Sequence, residues 1–111
     1  MARSRSIALY CKILRSGFSG ERIVLVTLAD GTEYRGMAPS QYCWHADGRP
    51  LGLDEPANGD AIPGIVAAIF LSDGGSAKTV DVSIPDGERL TVATDQITRR
   101  PEPESARNVL V

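Results

Sequence analysis

Two stretches of this chain superpose without a gap when one is moved 56 positions along the other: residues 6–41 and residues 62–97. Around a shared Asp-Gly, Val24 falls on Val80, Val26 on Val82, Leu28 on Ile84, Asp30 on Asp86 and Gly31 on Gly87. Upstream, Leu9 falls on Ile65, Ile13 on Ile69, Leu14 on Phe70 and Ser16 on Ser72. Self-similarity at a fixed period means that one supersecondary unit is used twice, and that restricts the fold more than any other feature of the chain.

The unit can be read from its pattern. Residues 79–84 alternate strictly between polar and apolar, whereas residues 23–28 are β-branched and alternate only in part. Both are patterns of strands with an apolar face. Each runs through a turn into a returning strand, at 32–38 and 88–93. Pro85 supplies the fixed φ of a type I turn and Gly87 the left-handed residue after it. Together they predict a three-residue hairpin loop with a glycine bulge. Such a loop opposes Val82 to Leu90 and Val80 to Val92, gathering the apolar groups on one face; a two-residue loop would scatter them. The same loop in the first repeat opposes Val26 to Tyr34 and Val24 to Gly36.

Upstream, residues 7–14 read as a strand with Ile7, Leu9, Cys11 and Ile13 on one face. Residues 65–71 are its counterpart, and turn-forming residues at 16–20 and 72–76 lead onward. Each repeat is therefore a three-stranded meander, followed by a short helical turn near 39–42 or 95–98. Two meanders with apolar faces bury them against each other. The expected fold is all-β: a pseudo-twofold small barrel or two-sheet sandwich of about six antiparallel strands. It resembles SH3-like small barrels in its short strands and tight hairpins, a likeness of fold that carries no function. The β domain spans 1–100, residues 44–61 connect the repeats, and the prolyl, charged residues 101–111 predict a flexible tail.

A chain of 111 residues makes one domain and buries a core without staples. No apolar run approaches the roughly 20 residues of a membrane helix. Lys12 cuts the stretch after the basic N-terminus too early for a signal peptide. The expectation is a cytoplasmic protein with no membrane partner and with Cys11 and Cys43 as thiols. Charge is uneven. Residues 1–22 carry five Lys or Arg against one acid, and residues 23–98 carry four against eleven. An acidic middle repels phosphate backbones, leaving the N-terminal strand and Arg99-Arg100 to attract them.

The densest group of chemically distinctive residues is Tyr42, Cys43, Trp44, His45 and Asp47, which holds the only Trp and the only His. Cys43 and His45 lie two apart on an extended segment and so share a side. Two metal ligands fall short of the three or four of a zinc site, and the spacing fits no zinc pattern. No metal or cofactor is expected. A thiolate beside a base would suit nucleophilic chemistry, but anchoring of the loop by Tyr42 and Trp44 accounts for the cluster more simply. Cys11, on an apolar strand face, reads as a buried inert thiol, and Cys43 as the more reachable one. The Gly-containing turns precede strands, not helices, so they are not phosphate loops.

Residues 65–71 are apolar on both faces. If Ile65, Ala67, Ile69 and Leu71 follow the repeat into the core, Val66 and Phe70 point outward with Tyr10 and Leu14. Those four then form an apolar outer face, which the connecting loop or a second subunit must cover. The sequence thus predicts a non-catalytic binding module acting by self-association or through a protein partner, with loop 44–61 as a contact surface or a cover. Alternatives are a nucleic-acid-binding barrel using the basic N-terminal strand, and a small thiol or metal enzyme at Cys43 and His45.

Overall fold

The repeat folds twice into the same order of elements. The first gives β1 (Arg5–Arg15), β2 (Glu21–Thr27), β3 (Glu33–Pro39), a 3-10 turn (Ser40–Tyr42) and β4 (Cys43–His45). The second gives β5 (Ala61–Asp73), β6 (Thr79–Ser83), β7 (Arg89–Ala93), a 3-10 turn (Thr94–Gln96) and β8 (Ile97–Thr98). The computed structural model describes residues 5–18, 20–85 and 87–98. The tail expected at 101–111 lies outside them, as do Arg99 and Arg100. The architecture is all-β, as the periodicities require. One continuous antiparallel sheet runs β3-β2-β1-β5-β6-β7 and curls into a half-barrel, rather than dividing into two sheets.

The two first strands form the spine. β1 lies antiparallel to β5 from Arg5↔Phe70 to Leu14↔Ala61. The short last strands then cross over: β4 of the first repeat pairs with β5, and β8 of the second pairs with β1. This reciprocal exchange is what an approximate twofold between the repeats produces.

Both hairpins have the expected register. Val82 opposes Leu90 and Val80 opposes Val92; Val26 opposes Tyr34 and Val24 opposes Gly36. In the first turn the Gly31 N–H donates to the Leu28 carbonyl at 3.0 Å, and the Leu28 N–H donates to the Thr32 carbonyl at 2.7 Å. Gly31 has φ +92°, where an L side chain is strained. Asp30 Oδ1 accepts from the Thr32 N–H at 3.0 Å and from the Thr32 hydroxyl at 2.7 Å, closing the turn from outside. In the second turn the Gly87 N–H donates to the Ile84 carbonyl at 2.6 Å. Asp86, and with it the conformation expected at Gly87, lies outside the described residues. Gly36 has its own reason: the Tyr34 ring lies over it, and a Cβ there would stand 2.5 Å from that ring.

The core fills the concave side. It holds Leu9, Ile13, Val24, Val26, Ala38, Val80, Val82, Ile84, Leu90 and Val92, drawn from both meanders. Each such large side chain removed from water contributes about 1.5–3 kcal/mol.

One expected face is reversed. Val66, Ala68 and Phe70 belong to this core, and Ile65 and Ala67 point to the convex side. The sequence repeat matches Leu9 to Ile65, but the ladder sets Leu9 opposite Val66. Directly opposed residues of an antiparallel pair share a face, and a shift of one residue turns the whole strand over. Val82 stands opposite Phe70 and points inward with it, and a register shift between Phe70 and Ser72 then sets Asp73 opposite Val80. The proposed outward set of Tyr10, Leu14, Val66 and Phe70 is therefore divided. Tyr10 and Leu14 are on the convex face, while Val66 is fully buried in the core and Phe70 packs against it.

Candidate interaction face

The segment 42–47 is a structural anchor. Trp44 is buried on the convex side against Ala67, with Tyr42 packed beside them. This explains why β5 is apolar on both faces: the concave core takes one side, and Trp44 with Tyr42 takes the other. Cys43 points into the core, and its Sγ donates to the Pro39 carbonyl at 3.6 Å. Burial pushes the Cys43 thiol up to about 12, with the Arg22 charge opposing. The expected order of the two thiols is reversed. Cys43 is buried and Cys11 half-buried, because β4 is sandwiched into the sheet beside β5 while Cys11 packs at the margin of the core. Burial pushes the Cys11 thiol up as well. Neither is a thiolate at neutral pH, so nucleophilic reactivity has no support from the surroundings.

His45 shares the side of Cys43 but turns to the loop. Its Nε2 lies 2.9 Å from Glu55 Oε1, which also accepts the Gly52 N–H at 2.8 Å. These two hydrogen bonds, that of His45 first, hold the Glu55 carboxyl below the usual carboxylate range. Asp47 caps its own turn. It accepts the Arg49 N–H at 3.0 Å and the Arg49 Nε–H at 2.7 Å, and these bonds lower its pKa. Among the described residues no three His, Cys, Asp or Glu side chains gather where they could hold a metal ion.

The connecting loop closes one end of the half-barrel, and two arginines hold it there. Arg15 and Arg22 are opposite one another on β1 and β2, both on the concave side. Arg22 is 1% exposed. Its Nε donates to the Glu55 carbonyl at 2.8 Å, and its Nη2 donates to the carbonyls of Leu53 at 3.2 Å and Gly52 at 3.5 Å. Arg15 donates to the Asp54 carbonyl at 2.9 Å and pairs with the Asp54 carboxylate at 3.7 Å. Leu51 packs on the core beneath. Two neighbouring cations are tolerable here because loop carbonyls surround them. At the level of sequence Arg15 and Arg22 are two of the five basic residues of 1–22 that could attract phosphate; their role in holding the loop was missed.

The convex face of the first meander is different in kind. Reading across β5, β1, β2 and β3, one row is Ala61, Leu14, Ile23 and Met37, apolar throughout. The next is Pro63, Lys12, Leu25 and Arg35, and beyond it Tyr10 stands opposite Ile65. Tyr10 is 39% and Met37 38% exposed. Phe18, 68% exposed, sits on the turn beside the apolar row. Charges of both signs border the patch, with Lys12 Nζ 3.9 Å from Glu33.

The second meander supplies the comparison. Counted from the shared turn, Leu25 occupies the place of Asp81, Ile23 that of Thr79 and Met37 that of Ala93. The convex face there is made for water. Asp81 accepts from the Thr91 hydroxyl at 2.6 Å and from the Arg89 guanidinium at 3.1 Å, with Ser72 at 3.4 Å. The Thr91 bond first, then Arg89, keeps the Asp81 carboxyl below its usual range. Ile23, Leu25 and Met37 were missed in the sequence reading. The signal was present: residues 23–26 are Ile-Val-Leu-Val, apolar on both faces, where 79–82 alternate.

Fold and face together define an all-β half-barrel built from two unequal meanders. Comparison with protein-family models, curated proteins and solved structures found no match to the chain. Among the described residues no helix is long and apolar enough to cross a membrane.

Proposed function

We propose that this protein is a non-catalytic binding module that pairs with a second copy of itself through the convex face of its first meander. The observation that carries this reading is the unbroken apolar row Ala61, Leu14, Ile23 and Met37, with Leu25 beside it, on a scaffold whose other copy has Thr79 and Asp81 in the places of Ile23 and Leu25. The rim favours a like partner. Lys12 and Arg35 stand with Glu33 and Glu21, so two copies related by a twofold can bring opposite charges together. The loop does not serve as cover for this face, since Arg15 and Arg22 hold it at the end of the half-barrel. The nucleic-acid reading loses those same two arginines to loop carbonyls. The thiol-enzyme reading loses Cys43 to the core.

The test copies the second repeat into the first. Ile23→Thr with Leu25→Asp installs the residues found at 79 and 81, which the same hairpin geometry already accommodates. Sedimentation equilibrium of the parent should give a dimer in the micromolar range, and the double variant a monomer with an unchanged circular dichroism spectrum. A parent that sediments as a monomer at high micromolar concentration removes the proposal.

A further inference from the structure

Among the described residues the sheet ends in two edge strands, β3 and β7, and a cleft lies between the turn of the first hairpin and β7. The strand path stops at β3 on one side and β7 on the other. An edge strand presents a row of N–H and C=O groups that lack partners in the sheet. Among the described residues the first hairpin meets β7 through one backbone hydrogen bond, from the Ala29 N–H to the Thr91 carbonyl at 3.3 Å. The cleft has a volume of about 450 Å³, within the range of ligand sites.

Its walls specify a chemistry. Leu28, Tyr34 and Leu90 give it an apolar lining, and Asp30 and Glu88 bring a carboxylate from each hairpin tip. The bonds from Thr32 hold the Asp30 carboxyl below the usual range, so it is charged at neutral pH. The cation in the lining does not cancel them, because Arg89 is already directed to Asp81 at 3.1 Å. The site is therefore apolar at its base, negative at its rim, and flanked by backbone groups awaiting a strand.

We propose that this cleft binds an extended peptide segment carrying one basic side chain between aliphatic ones. The peptide adds to the free edge of the half-barrel as a further strand. Its backbone pairs with the edge, its aliphatic side chains enter between Tyr34 and Leu90, and its cation meets Asp30 and Glu88. Strand addition draws affinity from main-chain hydrogen bonds and specificity from alternate side chains. The site is separate from the convex face, and the proposal stands whether or not the protein dimerises.

The probe is a capped pentapeptide, Val-Thr-Lys-Thr-Val, in which the Val and Lys side chains share one face of the strand, with Val-Thr-Glu-Thr-Val as its counterpart. Titration into the ¹⁵N-labelled protein should move the amide signals of Leu28, Ala29, Tyr34, Leu90 and Thr91. The Lys peptide should bind about tenfold more tightly than the Glu peptide, a difference of ~1.4 kcal/mol. Glu88→Lys, at an exposed position, should reduce or invert that preference while leaving the protein folded. Three results would overturn the proposal: no movement of those amides at about millimolar peptide, equal affinity for the two peptides, or movement confined to the convex face.

Discussion

Arg22 shows how one residue can change the role of a whole segment. Its guanidinium is buried and its N–H groups point at loop carbonyls, so the irregular residues 46–60 that join the repeats are tied to the barrel end. Hydrogen bonds to a charged group are worth about 1.5–3 kcal/mol each, though not additively. Arg22→Met keeps the apolar stem and removes the donors. It should lower stability by roughly 2–4 kcal/mol in urea unfolding, with faster amide hydrogen exchange through residues 52–56. Unchanged exchange there would mean that the loop is held by Leu51 and His45 instead. None of this was legible in the sequence, because an Arg on a strand reads as a solvated cation unless its burial is known. The thiols were misread for the same reason. A face was visible for Cys11, but how deep β4 lies in the sheet depends on pairing with a strand twenty residues away.

At the scale of elements, the sequence was a better guide to turns than to faces. The three-residue loops follow from local chemistry, namely Asp-Gly at a fixed place after an alternating strand, and both registers hold. Gly31→Val should therefore destabilise by about 1–2 kcal/mol, since φ +92° is closed to a β-branched residue. Gly17→Ala, where nothing lies within 4 Å of the added Cβ, should change stability by less than about 0.5 kcal/mol. Equal effects in urea melts would remove the left-handed turn as the cause. The face of β5 was not legible. It is set by the ladder with β1, which places Val66 opposite Leu9, where the gapless repeat matches Leu9 to Ile65. Val66 and Phe70 consequently moved from a supposed interface to the core, while Leu14 found other neighbours in Ile23 and Met37 and Tyr10 in Ile65.

For the molecule as a whole, the repeat conveyed the all-β class and the pairing of meanders, but not whether one sheet or two would result. That choice rests on β1 lying beside β5, a contact between residues 47 positions (Leu14 and Ala61) to 65 positions (Arg5 and Phe70) apart. Whole-molecule electrostatics give a further expectation. Asp30, Asp47, Glu55 and Asp81 all have folded pKa values below their ordinary ones, each through hydrogen bonds. The folded state then binds fewer protons than the unfolded state in that range, so stability rises with pH there. The stabilisation is present above the ordinary carboxylate range and lost as pH falls through and below about 4. Urea midpoints measured from pH 7 downward should stay level until that range and then decline, and Asp81→Asn should decline less. A midpoint that improves on acidification would contradict the assigned hydrogen bonds.

The exchange of short strands has a consequence for how the molecule comes apart. β4 completes the ladder of a strand in the other repeat, and β8 returns the arrangement. Neither half keeps all its backbone partners within its own sequence, so each holds the other hostage. The repeat is therefore not two autonomous modules on a string but one unit, in which loosening either half withdraws the edge on which the other closes.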